Sequence, residues 1–471
     1  MDRKAPALAL GLIAVVTIVT FNSFLLSTSM WDKLDPVQIL AVQQEYHAHF
    51  HKDPPPNFHL WAHFALQHGC HTNPVEYAQI YRDLAPWIAA HAIPADSLPT
   101  ASTPNTRIIH FKNGRFTSST KPSSYSFDKI LKPLAPIFNG AEIMFALNTM
   151  DEPRMVPSES STETYENMAD VFANSACFRE KYDTVISRNS TASAGMNHMD
   201  IFAGNNTLRS QHGFLLKPST FTVENSRAPI FSQAKLDGCF SDILLPFDYH
   251  IDIATAGPVY DSVDWDDKEP VLFWRGTTTG GDFKQGAPWK QYGRVRIMDW
   301  EKQWAAKHPG LTFDASKVNS KTHFTSLNVD IGFSGIVQSD EITKKEILQQ
   351  YGLKGSVSFK QTQRFKYLLV LDGNTWPSRL QQYLQTNSVI LYNGIFTDFY
   401  NWKLVPMVHY VPVKLDYSDL EEKLDWLMTN DADARRIANN AKLLMKKWST
   451  RSQLQCYTGL ALLEYSNLYA E

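Results

Sequence analysis

Three hydrophobic patterns follow one another along the chain. Residues 5–26, APALALGLIAVVTIVTFNSFLL, carry no charge and follow Arg3 and Lys4. As a helix this run spans about 33 Å, enough for a bilayer core. Helical spacing comes next: WDKLDPVQILAVQQEYHAHF at 31–50, stopped by DPPPN, then FHLWAHFALQHG and the amphipathic PVEYAQIYRDLAPWIAAHA. Residues 94–125, rich in Ser, Thr, Pro and Asn, predict irregular surface. From there short β-rich runs take over: AEIMFALN (141–148), DILLPF (242–247), PVLFWRG (270–276), YLLVLDG (367–373) and SVILYN (388–393). Each ends in a glycine or polar turn before helical spacing resumes, which predicts an α/β sheet architecture. The stretch FKYLLVLDGNTWPSRLQQYLQTNSVILYN reads as strand, turn at Asp372-Gly373-Asn374, short helix and second strand. Such a loop at the carboxyl end of a parallel strand is where open α/β sheets bind ligands. Residues 416–448 predict two amphipathic helices.

The flanking charges orient the first run. Arg3 and Lys4 precede it and Asp32 and Asp35 follow, so as an anchor it keeps the N-terminus cytosolic and sends the rest to the lumen. Ser27-Thr28-Ser29 also permits a cleaved signal peptide; both readings place the globular part in the secretory pathway. Cys70, Cys177, Cys239 and Cys456 can form two disulfides there, in any of three pairings, or stay as buried thiols. Asn189 and Asn205 begin glycosylation sequons, and the terminal NLYAE is not a luminal retention signal. A single-pass type II protein of the Golgi is the expectation. The net charge of −3 provides no basic field for nucleic acid, and 43% hydrophobic content supports a large core.

Candidate chemistry sits on the loops that follow the β-runs. In FWRGTTTGGDF, Gly276, Gly280 and Gly281 allow backbone N–H groups near an anion, and Arg275 offers a fork suited to phosphate. There is no P-loop lysine and no dinucleotide glycine triplet. Arg294 and Arg296 follow in YGRVR, and Ser378 and Arg379 open a helix in NTWPSR, where an anion is favoured. Two anion-holding loops about 100 residues apart suggest a diphosphate. In MFALNTMDEPR, Asp151 and Glu152 stand at a strand end, where a carboxylate can serve as general base. Asp264 and Asp266 form a D-x-D pattern in a polar stretch. His47, His49, His51, His59, His63, His68 and His71 crowd one region, but no H-E-x-x-H accompanies them. No G-x-S-x-G elbow is present.

FWRGTTTGG, KYLLVLDGNTWPSRL (366–380) and LVPMVHYVPVKLDYSDLEEKLDWL (404–427) together resemble glycosyltransferase family 90. That family includes fungal capsule-associated xylosyltransferases and the animal protein O-glucosyltransferases called Rumi. The resemblance is strongest over 270–465, with ARRIANNAK and Cys456-Tyr457, and looser at PPPNFHLWAHFA, YAQIYRDLAPW and ALNTMDEPR. It implies a GT-B fold of two facing Rossmann-like lobes with the active site between them. The segments would be a tail and signal-anchor at 1–30, a stem and helical region at 31–130, an acceptor-side lobe at 131–250, a nucleotide-sugar lobe at 251–430 and C-terminal helices at 431–471. It implies an inverting, metal-independent transferase using a UDP-sugar as co-substrate. Xylose is favoured over glucose, with a glycan, glycolipid or glycoprotein hydroxyl as acceptor. Arg275, Gly276, Thr277, Thr278 and Thr279 would line the donor, and Asp372 and Gly373 would shape the second loop. Ser378 and Arg379, with Arg294, would neutralise the diphosphate. Asp151, or its neighbour Glu152, would be the base. A D-x-D metal enzyme and an inactive luminal binding protein are the rival readings.

Overall fold

The structure, a computed structural model, describes residues 36–89, 105–118, 126–156, 166–167, 169–171, 210–224, 229–318 and 323–469. The apolar run at 5–26, Cys177, Asn189 and Asn205 lie outside these. Among the described residues no helix is long and apolar enough to cross a membrane.

Three helices open the described chain: α1 (Pro36–Phe50), α2 (Phe58–Gln67) and α3 (Ala78–Ala89). Part of the stretch expected to be irregular is instead a hairpin, β1 (Thr106–Lys112) and β2 (Arg115–Ser118). Its two turn residues, Asn113 and Gly114, have φ of 52° and 74°, the left-handed pair that closes a two-residue hairpin. The Asn-Gly signal in FKNGRF was legible; the surrounding Ser/Thr/Pro content masked it.

Next come α4 (Phe127–Leu134), β3 (Ile143–Asn148), α5 (Gly213–Leu216), β4 (Ile230–Ser232) and β5 (Ile243–Leu244). The first sheet has the order β2-β1-β3-β4-β5. β1 runs antiparallel to both neighbours, while β3, β4 and β5 are mutually parallel. Only that parallel half is Rossmann-like.

The second unit runs through α6 (Asp248–Ala256), β6 (Glu269–Thr277), α7 (Gly293–Lys307), β7 (Asn328–Gly335), α8 (Glu341–Tyr351), α9 (Phe359–Thr362), β8 (Phe365–Leu371), α10 (Arg379–Tyr383), β9 (Val389–Asn393) and β10 (Val411–Pro412). Its sheet is wholly parallel, in the order β10-β9-β8-β6-β7. Parallel sheets are buried on both faces, and alternate side chains here enter two different layers. Leu272, Trp274, Leu369 and Leu391 pack with Val295, Ile347 and Ile437, while Phe273, Leu368, Val370 and Ile390 pack with Leu380 and Met445. β7, NVDIGFSG, escapes the hydrophobic pattern because Asn328 and Asp330 alternate with Val329, Ile331 and Phe333. Asp330 is nonetheless fully buried, neutralised by Arg275 and Lys354.

The chain ends in α11 (Leu420–Thr429), α12 (Asp431–Trp448) and α13 (Arg451–Ser466). α12 stays on the second sheet, but α13 returns to the first helices. Trp61 Nε1 donates to the Cys456 carbonyl at 2.8 Å, Tyr46 Oη donates to Glu464 at 2.7 Å, and Cys70 is disulfide-bonded to Cys456. Cys239 is disulfide-bonded as well. The Cys70–Cys456 bond joins positions 386 residues apart, so it restricts the unfolded chain over most of its length. Replacing both residues with alanine is expected to cost about 2–5 kcal/mol, read as a lower urea midpoint. An unchanged midpoint would show that helix packing alone holds α13.

Candidate active site

In the second sheet the chain leaves β6 for β7 on one side and then crosses to β8 on the other. The carboxyl ends of β6 and β8 therefore flank the switch point where ligands bind in such sheets. Both glycine-containing loops emerge there: 275–281 from β6, and 372–379 from β8. Their glycines make the loops dense. Gly280 has φ of 99°, and a Cβ on it would lie 2.9 Å from the Gly373 carbonyl oxygen. A Cβ on Gly213 would lie 1.7 Å from the Gly280 carbonyl, so the segment carrying Gln211 and His212 presses directly on the β6 loop.

Two cations converge beneath these loops. Arg294, in the first turn of α7, is buried; its Nε donates to the Asp372 carbonyl at 2.9 Å and Nη1 to the Thr277 carbonyl at 2.9 Å. Arg379 donates to the Arg275 carbonyl. Among the described residues neither guanidinium makes an ion pair with a carboxylate. Burial first, and then the like charge of Arg379, destabilises the Arg294 cation and lowers its pKa from the ordinary arginine value. A guanidinium keeps its proton at working pH, so an anion is the natural partner for this charge. α10 is little more than one turn, too short for a substantial macrodipole. Arg379, rather than the helix terminus, supplies the charge beside Ser378. Both side chains line a cleft of about 400 Å³ shared with Arg275, Phe273, Tyr249, Ser334 and Tyr383.

Asp151 stands in the turn after β3. It is exposed, and its carboxylate accepts from Gln233 Nε2 at 3.1 Å and from Asn374 Nδ2 at 3.3 Å. Asn374 belongs to the β8 loop, so the first sheet's carboxylate reaches the second sheet's loop directly. The turn is fixed from below. Asn148 accepts from Met150 N and donates to the Glu152 carbonyl, while Asp242 accepts from the backbone of Arg154 and Met155. Glu152 points the other way: it is buried, held by Ser219 and Thr220 hydroxyls, and burial raises its pKa. Of the two carboxylates left open by the sequence, Asp151 is the exposed one and the one that reaches the β8 loop.

Residues 257–470 match the model of glycosyl transferase family 90. Over these residues, a little under half of the chain, the protein is similar to glycosyltransferase family 90. The chain is 30% identical to protein O-glucosyltransferase 2 of Danio rerio over 113 residues, 24% of this chain and 23% of that protein. It is 29% identical to the Homo sapiens protein O-glucosyltransferase 3 over 139 residues, 29% of this chain and 26% of that protein. Human protein O-glucosyltransferase 1 is 30% identical over 104 residues, 22% of this chain and 26% of that protein. Each alignment spans about a quarter of the relative's length.

Within the family 90 region several expected donor residues turn out to be engaged by the protein. Arg275 forks onto Asp330 at 3.0 and 2.8 Å and reaches Asp314 at 3.2 Å, so its charge is matched and it ties β6 to β7. Thr278 Oγ1 is buried and exchanges hydrogen bonds with the backbone of Val337. Gly276 leaves room for the Trp274 indole. Thr277 contributes its carbonyl to Arg294, and Thr279 stands with Gly373 at the crevice above that guanidinium. Asp372 accepts from Ile395 N at 2.6 Å and faces His212 Nε2 at 3.3 Å, closing the loop after β9 rather than opening to the cleft. Arg296 turns away to the Ser210 carbonyl. Gln233, His212 and Asn374 were missed as site residues; only Asn374 had a signal, its place in the turn after β8.

The D-x-D residues lie elsewhere. Asp264 and Asp266 precede β6, at the amino end of the sheet, and Asp266 is exposed beside Arg435 at 3.3 Å. The histidine-rich helices show no site either: among the described residues no three His, Cys, Asp or Glu side chains gather for a metal.

Proposed function

We propose that the protein is an inverting glycosyltransferase that moves a sugar from a UDP-sugar to a hydroxyl of a glycan, glycolipid or glycoprotein. The observation that carries this reading is the pair of guanidiniums at the switch point, Arg294 and Arg379, which make no ion pair with a carboxylate among the described residues, together with Asp151, tied by Asn374 to the loop that follows β8. Asp151 takes the proton of the acceptor hydroxyl as its oxygen attacks the anomeric carbon opposite the diphosphate. The bond to the diphosphate breaks with its electron pair, and Arg379 and Arg294 offset the charge that collects there. A single displacement of this kind inverts the anomeric centre. Ser378 and Thr279 lie within reach of the donor, while Arg275, Thr278 and Asp372 hold the loops in place. The reaction needs no metal in this scheme, because two guanidiniums carry the charge that a cation would otherwise offset.

The relatives' names give glucose as the transferred sugar, whereas the branch the sequence resembles favours xylose. The Cys70–Cys456 disulfide supports an oxidising compartment and hence a luminal catalytic part, held at a Golgi-type membrane through residues 5–26. The test is a screen of radiolabelled UDP-glucose, UDP-xylose and other UDP-sugars for UDP release, with and without EDTA. Release of UDP from one donor, undiminished by EDTA, is expected. Turnover restored only by manganese would overturn the metal-independent scheme, and no turnover with any donor would favour an inactive luminal binding protein.

A further inference from the structure

Among the described residues, Asn374 is a side chain that touches both the Asp151 carboxylate and the β6 loop. Its Oδ1 accepts from the Gly280 N–H at 3.2 Å, and its Nδ2 donates to Asp151 Oδ2 at 3.3 Å. These partners fix the orientation of the amide. Reversed, it would set an N–H against an N–H and an oxygen against a carboxylate. They also fix the residue type, since only a carboxamide offers an acceptor on one side and a donor on the other. An aspartate of the same shape would bring a second negative charge to Asp151, and an alanine would reach neither partner.

The anchor on the loop side is rigid. Gly280 sits at a positive φ with the Gly373 carbonyl against the place a Cβ would occupy, so its N–H cannot shift without moving the β8 loop. On the other side Gln233, the residue that follows β4, the parallel neighbour of β3, holds Asp151 Oδ1. The carboxylate is thus gripped once from each sheet, and only the Asn374 grip sets its place relative to the donor loops.

We propose that Asn374 is the positioning residue for the base: it sets Asp151 at its working distance from the sugar by tying it to the loop that follows β8 and, through Gly280, to the loop that follows β6. This rests on the reading of Asp151 as the base. When the acceptor hydroxyl arrives, it donates to a remaining lone pair on one of the two carboxylate oxygens, each of which accepts one bond from Gln233 or Asn374. The hydroxyl oxygen bonds to the anomeric carbon, the proton passes to Asp151, and the C–O bond to the diphosphate breaks with its electron pair. Asn374 takes no proton and forms no bond to the sugar.

The test uses the full chain and UDP release from UDP-glucose or UDP-xylose with water as acceptor, so that no glycan need be known. Asn374→Ala is expected to lower kcat about 10- to 100-fold, the scale of a misplaced catalytic group, with KM for the donor within about twofold. Asn374→Asp, of the same shape, is expected to lose at least as much while melting at the wild-type temperature. In an Asp151→Asn background Asn374→Ala should change the residual rate less than about twofold, because a residue acting through Asp151 has nothing left to position. A wild-type kcat for Asn374→Ala or Asn374→Asp overturns the proposal. So does an equal fold-loss in both backgrounds, which is the mark of a purely structural role. If Asp151→Asn itself turns over normally, the base assignment falls and this inference with it. If Asp151→Asn is inactive while Asn374→Ala is unimpaired, the inference alone falls.

Discussion

Asp151→Asn is expected to reduce sugar transfer by about 10²- to 10⁴-fold, the range that a positioned general base contributes. The substitution keeps the shape of the side chain and still offers an oxygen to Gln233 or Asn374, so the turn after β3 should persist. What disappears is the acceptor for the proton. In the proposed scheme UDP is held by residues of the other sheet, so its binding should stay within about twofold and the loss should fall on kcat. Glu152 cannot stand in for its neighbour, because its carboxylate is buried against the Ser219 and Thr220 hydroxyls. Steady-state UDP release together with calorimetric titration of UDP separates the two effects. Turnover at the wild-type rate in the asparagine variant would remove Asp151 from the mechanism.

Arg379→Ala should also lower turnover strongly, by about 10²- to 10³-fold, the cost of removing one preorganised group that meets charge developing in the transition state. The side chain borders the 400 Å³ cleft and makes no ion pair among the described residues, so its charge remains available to a ligand. Losing it relieves the repulsion on Arg294 but leaves that buried cation alone to meet the leaving diphosphate. Arg379→Lys should recover only part of the activity, because an ammonium restores charge without the two-pronged geometry. By contrast, Arg275→Ala should act mainly on stability, since it leaves the buried Asp330 carboxylate with Lys354 as its remaining cation among the described residues. The comparison of Arg379→Ala and Arg275→Ala in parallel melting and turnover assays checks this division. A large stability loss with normal specific activity for Arg379→Ala would reverse it.

Most strands of the second sheet were legible because a buried parallel strand must be apolar on both faces. PVLFWRG, YLLVLDG and SVILYN leave little room for another reading, and each lies within one residue or two of the observed strand. β7 was not legible. Its polar positions look solvated until Arg275 and Lys354 are seen to neutralise Asp330, and both come from other parts of the chain. The short strands β4 and β5, of three and two residues, carry too few positions for any periodicity to register.

The site divides along the same line. Residue type and local order determined that Asp151 stands at a strand end, that Arg379 follows the β8 turn and that glycines crowd the loop after β6. These are properties of neighbouring residues, and a strand followed by a tight turn presents them in one place. Which arginines remain open to a ligand was decided by tertiary structure. Arg275, with the most phosphate-like setting in the sequence, is matched by Asp330 across the β6–β7 pair, whereas Arg294 arrives from a helix and hydrogen-bonds to carbonyls, with no ion pair among the described residues. The pairing of Asp151 with Asn374, 223 positions apart, likewise exists only once two sheets pack together. Charge compensation is a sum over neighbours in space, and a linear sequence does not contain that sum.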